Sequence, residues 1–128
     1  MTKNKTNYVD GFVLVVPKKR VAEYKKMAQG GGKMWMKYGA LSYKECMLDD
    51  AKPKWVTFFF PKMAKAKRSE TVWFSYIEYK SKKHRDQVNA KVMKDMEKIG
   101  KDDPNHMDKM PFDMKRMAYG GFKVMVSD

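Results

Sequence analysis

The sequence predicts an α+β fold, a ferredoxin-like βαββαβ unit with an antiparallel sheet, and three observations point there. An aromatic and β-branched run followed by a helical stripe occurs twice, with the equivalent starts Val9 and Val72 separated by 63 residues. The 128 residues have room for a single domain with a real core, and no Ser/Gly/Pro-rich linker divides them. Two βαβ halves interleave naturally into one antiparallel sheet with both helices on the same side.

The first element is the run Tyr8 to Val16, stopped by Pro17, which cannot donate to a ladder and is suited to starting a helix. Beyond it Val21, Tyr24, Ala28, Gly31, Trp35 and Tyr38 recur at spacings of three and four, so they share one helical face, opposite the lysines. Gly30, Gly31 and Gly32 interrupt that face, and each costs about 1 kcal/mol against alanine, which predicts a kink or frayed turn. A phosphate-binding loop is the sharper reading of the triplet, but it lacks the Gly-Lys-Ser/Thr ending and does not directly follow a strand. Gly39 is a natural helix stop, and Leu41 to Leu48 alternates like a second strand ending at Asp49-Asp50.

Residues 49–70 read as an inserted loop, with an extra strand within Trp55-Val56-Thr57-Phe58-Phe59-Phe60 and a short helix starting at Pro61. A long connection bearing such an aromatic run covers a pocket or reaches a partner. Thr71 to Tyr79 repeats the opening strand. Ser81 can cap a helix whose apolar stripe is Val88, Val92, Met93 and Met96. A polar loop with Pro104 and Pro111 follows, and strand-like alternation from Met110 to Val126 closes the chain. Gly120 and Gly121 within it point to a bulge or a close approach to the first strand.

Composition narrows the function classes. The formal net charge of +13 attracts polyanions, but only four of the 28 cations are arginine (Arg20, Arg68, Arg85, Arg116), and no aromatic-basic module is evident. Weak attraction to nucleic acid through a lysine-rich surface is the alternative this charge supports; specific recognition is not expected. Thirteen methionines lie mostly among apolar residues, as adaptable core filler. No apolar run reaches the ~20 residues of a membrane span, and nothing near Met1 resembles a signal peptide, so a cytoplasmic location is expected. The single Cys46 excludes an internal disulfide framework and reads as a small buried strand residue. His84 and His106 are isolated, His106-x-Asp108 is too common a pattern to count, and neither a metal site nor a cofactor is expected.

Strand parity places Tyr8, Asp10, Phe12, Leu14 and Val16 on one side of the first strand and Val9, Gly11, Val13 and Val15 on the other. Trp73, Ser75, Ile77 and Tyr79 have the parity corresponding to the Asp10 set. Both sides are apolar and the helices can bury only one, so the other is expected to meet the same face of a second copy in a two-fold homodimer. Such a dimer would enclose an aromatic cavity containing Asp10.

Asp10 is the leading candidate acid or base, because a carboxylate among apolar strand residues has a raised pKa. Glu45, alternating with Tyr43 and Met47, is a second candidate. At the start of the second helix His84 could shuttle protons and Arg85 could clamp an anion, with Asn89 four residues on and on the same face. The competing reading pairs Arg85 with the loop bearing Asp113. Arg116 with Asp113 reads first as an ion pair pinning the Pro111 turn, and Tyr119 could donate to a bound oxygen.

Tyr8 to Phe12, His84 to Met93 and Met110 to Phe122, in this order, resemble the YbaA-like family of uncharacterised bacterial proteins, from Tyr8 to about Val126. The resemblance implies a ferredoxin-like fold of the dimeric α/β-barrel type, a superfamily that includes cofactor-free monooxygenases, muconolactone isomerases and heme-degrading enzymes. It implies no reaction, because fold does not confer function. The glycine triplet, the lysine bias and the abundant methionine depart from the family pattern. The expectation is a homodimer binding a small apolar or aromatic molecule, in a cleft between helices and sheet or at the dimer seam, with Glu45, Trp73, Arg85, Asn89, Arg116 and Tyr119 as candidate contacts. The enzymatic alternative is cofactor-independent oxygenation or isomerisation, with Asp10 or His84 moving a proton.

Overall fold

Four strands and two long helices carry the fold in the computed structural model, which describes residues 5–128. In chain order these are β1 (Tyr8–Pro17), α1 (Val21–Lys37), β2 (Ser42–Met47), a short α2 (Phe60–Met63), β3 (Glu70–Tyr79), α3 (Lys82–Asp102) and β4 (Ala118–Lys123), with short 3-10 turns between some of them. The sheet order is β2-β3-β1-β4, and every neighbouring pair is antiparallel. Each βαβ unit is therefore split by a strand of the other, as the repeated pattern in the sequence requires.

The helices choose the sheet face. Tyr24 and Ala28 of α1 pack on Leu14, Val16 and Trp73, while Val88 and Val92 of α3 pack on Ile77 and Tyr79. All of these strand residues have the parity of Asp10, which lies opposite Ile77 and Gly121 in the register. Asp10 and Trp73 thus lie beneath the helices, and the expectation that a face-to-face dimer would enclose Asp10 is corrected. The face left open carries Val9, Val13, Phe74, Tyr76 and Phe122, with Phe122 61% exposed. Among the described residues one corner of it is covered, where Ala64 packs against Val15 and Val72, with Val13 at the margin of that cluster.

Several local expectations change. The helix α1 runs unbroken through the glycine triplet, with no frayed turn there. Gly32 is required by a close approach: a Cβ there would lie 2.9 Å from Cδ1 of Tyr43 on β2. The helix ends at Lys37, and the turn that follows passes through Gly39, whose φ of +110° suits glycine. The extra strand expected within residues 49–70 does not form; the segment before α2 is turns, bends and irregular chain and pairs with no strand of the sheet. The short helix near Pro61 is present. The closing strand is limited to Ala118–Lys123, since the side chain of Asp113 accepts the Lys115 N–H and starts a 3-10 turn instead. Cys46, expected to be buried, is exposed on the open face. Ser81 caps α3 as expected, its Oγ accepting the His84 N–H at 3.0 Å.

Candidate functional site

Across the helix-facing side of the sheet, register aligns Glu45 of β2, Ser75 of β3, Phe12 of β1 and Tyr119 of β4 in one transverse row. The adjacent row is Tyr43, Ile77, Asp10 and Gly121. Directly opposed residues of antiparallel strands share a face, so the two rows place one carboxylate near each edge of the sheet with apolar residues between them. The two carboxylates are built differently.

Asp10 is sealed, with 1% of its surface exposed. Arg85, on the first turn of α3, donates from Nη1 to Asp10 Oδ1 at 2.7 Å and to Tyr119 Oη at 2.7 Å, and from Nε to Asp86 at 2.8 Å. Its guanidinium carbon sits 5.1 Å from the centroid of Tyr8. Burial pushes the Asp10 carboxyl up, against the opposing pull of Arg85 and the hydrogen-bonding groups of Tyr119 and Asn89. Asn89 also accepts from Trp35 Nε1 at 3.1 Å and from Tyr79 Oη at 3.3 Å, which joins α3 to α1 and β3. Asp10, Arg85, Asn89 and Tyr119 are thus brought together. The competing pairing of Arg85 with the Asp113 loop is corrected, since Arg85 faces Asp10. His84 stands apart: its Nδ1 accepts the Lys80 N–H at 3.0 Å and its ring meets the edge of Tyr79.

Glu45 is half-buried and faces a cleft. Tyr24 Oη donates to Oε1 at 2.7 Å, Ser75 Oγ donates to the same oxygen, and Tyr43 Oη donates to Oε2 at 2.6 Å. Both phenols are pushed far above the usual tyrosine range, first by burial and then by the Glu45 charge, so they stay protonated and donate. The cleft, about 1050 Å³, opens between α1 and the β2 edge. Its walls include Ala28, Met36, Met47 and Trp73, with Lys25 and Lys33 also lining it. Gly31 and Gly32 let α1 ride close over the Tyr43 ring, which holds its hydroxyl against Glu45.

Arg116 lies elsewhere. It forks onto Glu70 at 2.7 and 2.8 Å and reaches Asp113 at 2.8 Å, tying the segment before β4 to the start of β3. The Glu70 carboxyl is held down at about 2, chiefly by its hydrogen bonds from Arg116. Among the described residues no group of three or more His, Cys, Asp or Glu side chains could hold a metal ion.

Sequence reasoning singled out Glu45 and Trp73 but missed Tyr24, Tyr43 and Ser75 as members of the same site. Tyr24 read as a core residue of a helical stripe, which it also is. The pairing of Glu45 with Ser75 depends on strand register, which the order of residues alone does not supply.

The family model described as "Protein of unknown function (DUF1428)" matches residues 7–114, a span that includes Asp10, Glu45 and Arg85. Proteins called "Uncharacterized protein YbaA" from Escherichia coli (strain K12), Escherichia coli O157:H7 and Shigella flexneri are each 42% identical over 124 residues, covering 94% of this chain and 98% of the relative.

Proposed function

Because the chain belongs to the DUF1428 family of proteins of unknown function, we propose its function from its own geometry: it binds a small, largely apolar or aromatic molecule in the cleft beside Glu45. The observation that carries this reading is a carboxylate fixed by three hydroxyl donors in the wall of a cleft of about 1050 Å³. Pockets for small molecules are commonly apolar concavities with a few convergent polar groups, and a volume of this order admits a drug-sized molecule. The glycines add support. Gly31 and Gly32 weaken α1 by about 1 kcal/mol each, and what they permit is the approach of α1 to Tyr43. Stability is given up where the site is assembled.

In this reading Trp73 and the side chains of Met36 and Met47 contact the apolar body, and the thioethers adapt to its shape. Glu45 receives a hydrogen bond that orients the ligand. A fragment set rich in phenols and small aromatic acids, screened by thermal shift and two-dimensional NMR, tests this. Ligands should perturb residues around Glu45 and Trp73. Met36→Trp, placed at an exposed position of the cleft wall, should block them without unfolding the chain. Equal binding by that variant, or no binding from the whole set at millimolar concentration, would remove the reading.

A second reading concerns the open sheet face. Val9, Val13, Phe74, Tyr76 and Phe122 form an apolar surface on strands that the helices leave uncovered, and a second copy offers the same surface about a two-fold axis. Sedimentation at micromolar concentration should give a dimer that Phe122→Asp with Phe74→Asp dissociates. A monodisperse wild-type monomer would refute this.

A further inference from the structure

We infer that the ligand of the α1–β2 cleft is a hydroxylated organic anion, whose neutral hydroxyl is received by Glu45 and whose carboxylate or phosphate meets Lys25 and Lys33. This rests on the cleft reading above and adds the charge and donor pattern of the molecule.

The hydroxyl follows from the acceptors left over on Glu45. A carboxylate offers about four lone-pair directions. Oε1 already takes two donors, from Tyr24 and Ser75, and Oε2 takes one, from Tyr43. Space remains for a single donor on Oε2. Because three neutral hydroxyls already stabilise the charge, the carboxylate does not require a cationic partner. A cation is disfavoured by everything around it: Lys25 and Lys33 line the same cleft, Glu45 is the single acid lining it, and the chain carries a net charge of +13. A neutral hydroxyl fits that place without the repulsion.

The anionic end follows from the pattern on α1. Lys25, Gln29 and Lys33 all line the cleft and recur every four residues, so they stand on successive turns of one helix face. At 1.5 Å per residue the two lysines span about 12 Å along the helix, with the Gln29 amide between them as a neutral hydrogen-bonding group. Lysine ammonium groups act as mobile point charges and take carboxylate and phosphate alike, so the shared feature is the negative charge. Trp73, buried under α1, and the exposed Met36 and Met47 supply the apolar stretch of the cleft wall.

The test is isothermal titration of the full chain with para-hydroxyphenyl alkanoates of increasing chain length. Alongside go the phosphate monoester of the best length, its neutral carboxamide, its amine and the acid lacking the ring hydroxyl. The acid or the phosphate should bind best, and whichever of the two is tighter identifies the anion. The amide should be weaker by about tenfold, and the amine weaker still. Loss of the ring hydroxyl should weaken binding several-fold. Lys25→Glu with Lys33→Glu should remove the preference for the acid over the amide while the amide still binds, and raised salt should narrow the same gap. If acid, amide and amine bind equally, and the lysine variant changes nothing, the anion assignment is wrong while the cleft reading stands. If Met36→Trp leaves every affinity unchanged, the ligands bind elsewhere and both fail.

Discussion

Substituting alanine along the glycine triplet separates what the helix wants from what the site needs. A Cβ on Gly30 meets nothing within 4 Å, so Gly30→Ala collects the helix propensity gain of about 1 kcal/mol. At Gly32 the same gain meets an obstacle, because the new Cβ would lie 2.9 Å from Cδ1 and 3.1 Å from Cε1 of Tyr43. That ring cannot swing away freely, since its hydroxyl is bonded to Glu45 at 2.6 Å. Overpacking of this kind costs about 1–3 kcal/mol, so Gly32→Ala should be neutral to destabilised by about 2 kcal/mol. For a domain of this size 1 kcal/mol corresponds to about 3–5 °C in Tm. Calorimetry should therefore show Gly30→Ala melting above wild type, with Gly32→Ala at or below it. On a Tyr43→Ala background the obstacle is gone, and Gly32→Ala should become as stabilising as Gly30→Ala. Equal stabilisation of the two variants in the wild-type background would refute the assignment of Gly32 to Tyr43 packing.

The same structure sets three further outcomes. Arg116→Met should cost about 2–3 kcal/mol in urea unfolding, because it leaves the largely buried Glu70 without its bidentate partner. The Glu70 carboxyl is depressed from 4.5 to about 2, so its contribution is complete above the unfolded value and is lost as pH falls through that interval; the Arg116→Met variant should show a flatter acid limb there. Asp10 has the opposite sign: its carboxyl is raised, so stability declines as pH rises above 3.8. Arg85→Met should steepen that decline, costing about 3 kcal/mol near neutral pH and less in acid, where protonation of the carboxyl removes its need for the guanidinium. Gly121→Ala should destabilise by about 1–3 kcal/mol, since its Cβ would press to 2.8 Å from Tyr8 ring carbons, whereas Gly120→Ala meets only Phe122 at 3.7 Å and should be tolerated.

The order of strands and helices was legible because it depends on local pattern. The Tyr8 and Thr71 runs, the Tyr24 and Ala28 stripe and the Ser81 cap all formed where periodicity and capping chemistry put them. What was not legible depends on contacts between distant residues. The Trp55 to Phe60 run has strong strand propensity, yet it pairs with no strand of the sheet, and propensity alone does not supply a partner. The triplet at Gly30 reads as a breaker until Tyr43 is known to lie under it. Parity grouped Asp10 with Trp73 correctly, but both faces of β1 are apolar, so only the packing of α1 decides which one is buried. Arg116 was readable as a pin to Asp113, three residues away; its fork onto Glu70, from 46 residues away, was not.

The two acids of the helix-facing surface divide the work between them. Asp10 is closed off, matched by a guanidinium and bound into a network that ties β1, β4 and α3, so its charge is spent on holding those elements together. Glu45 is matched by neutral hydroxyls, which orient it without cancelling its charge, and it remains open to the cleft. A ligand reaching Asp10 would first have to displace Arg85 from a contact of 2.7 Å, whereas one reaching Glu45 need only fill the acceptor direction that the three hydroxyls leave unused. Sequence alone ranks Asp10 first, because an acid in an apolar strand is conspicuous. In the structure the conspicuous acid is buried and paired with a guanidinium, and the acid on the edge strand is the one that faces the cleft.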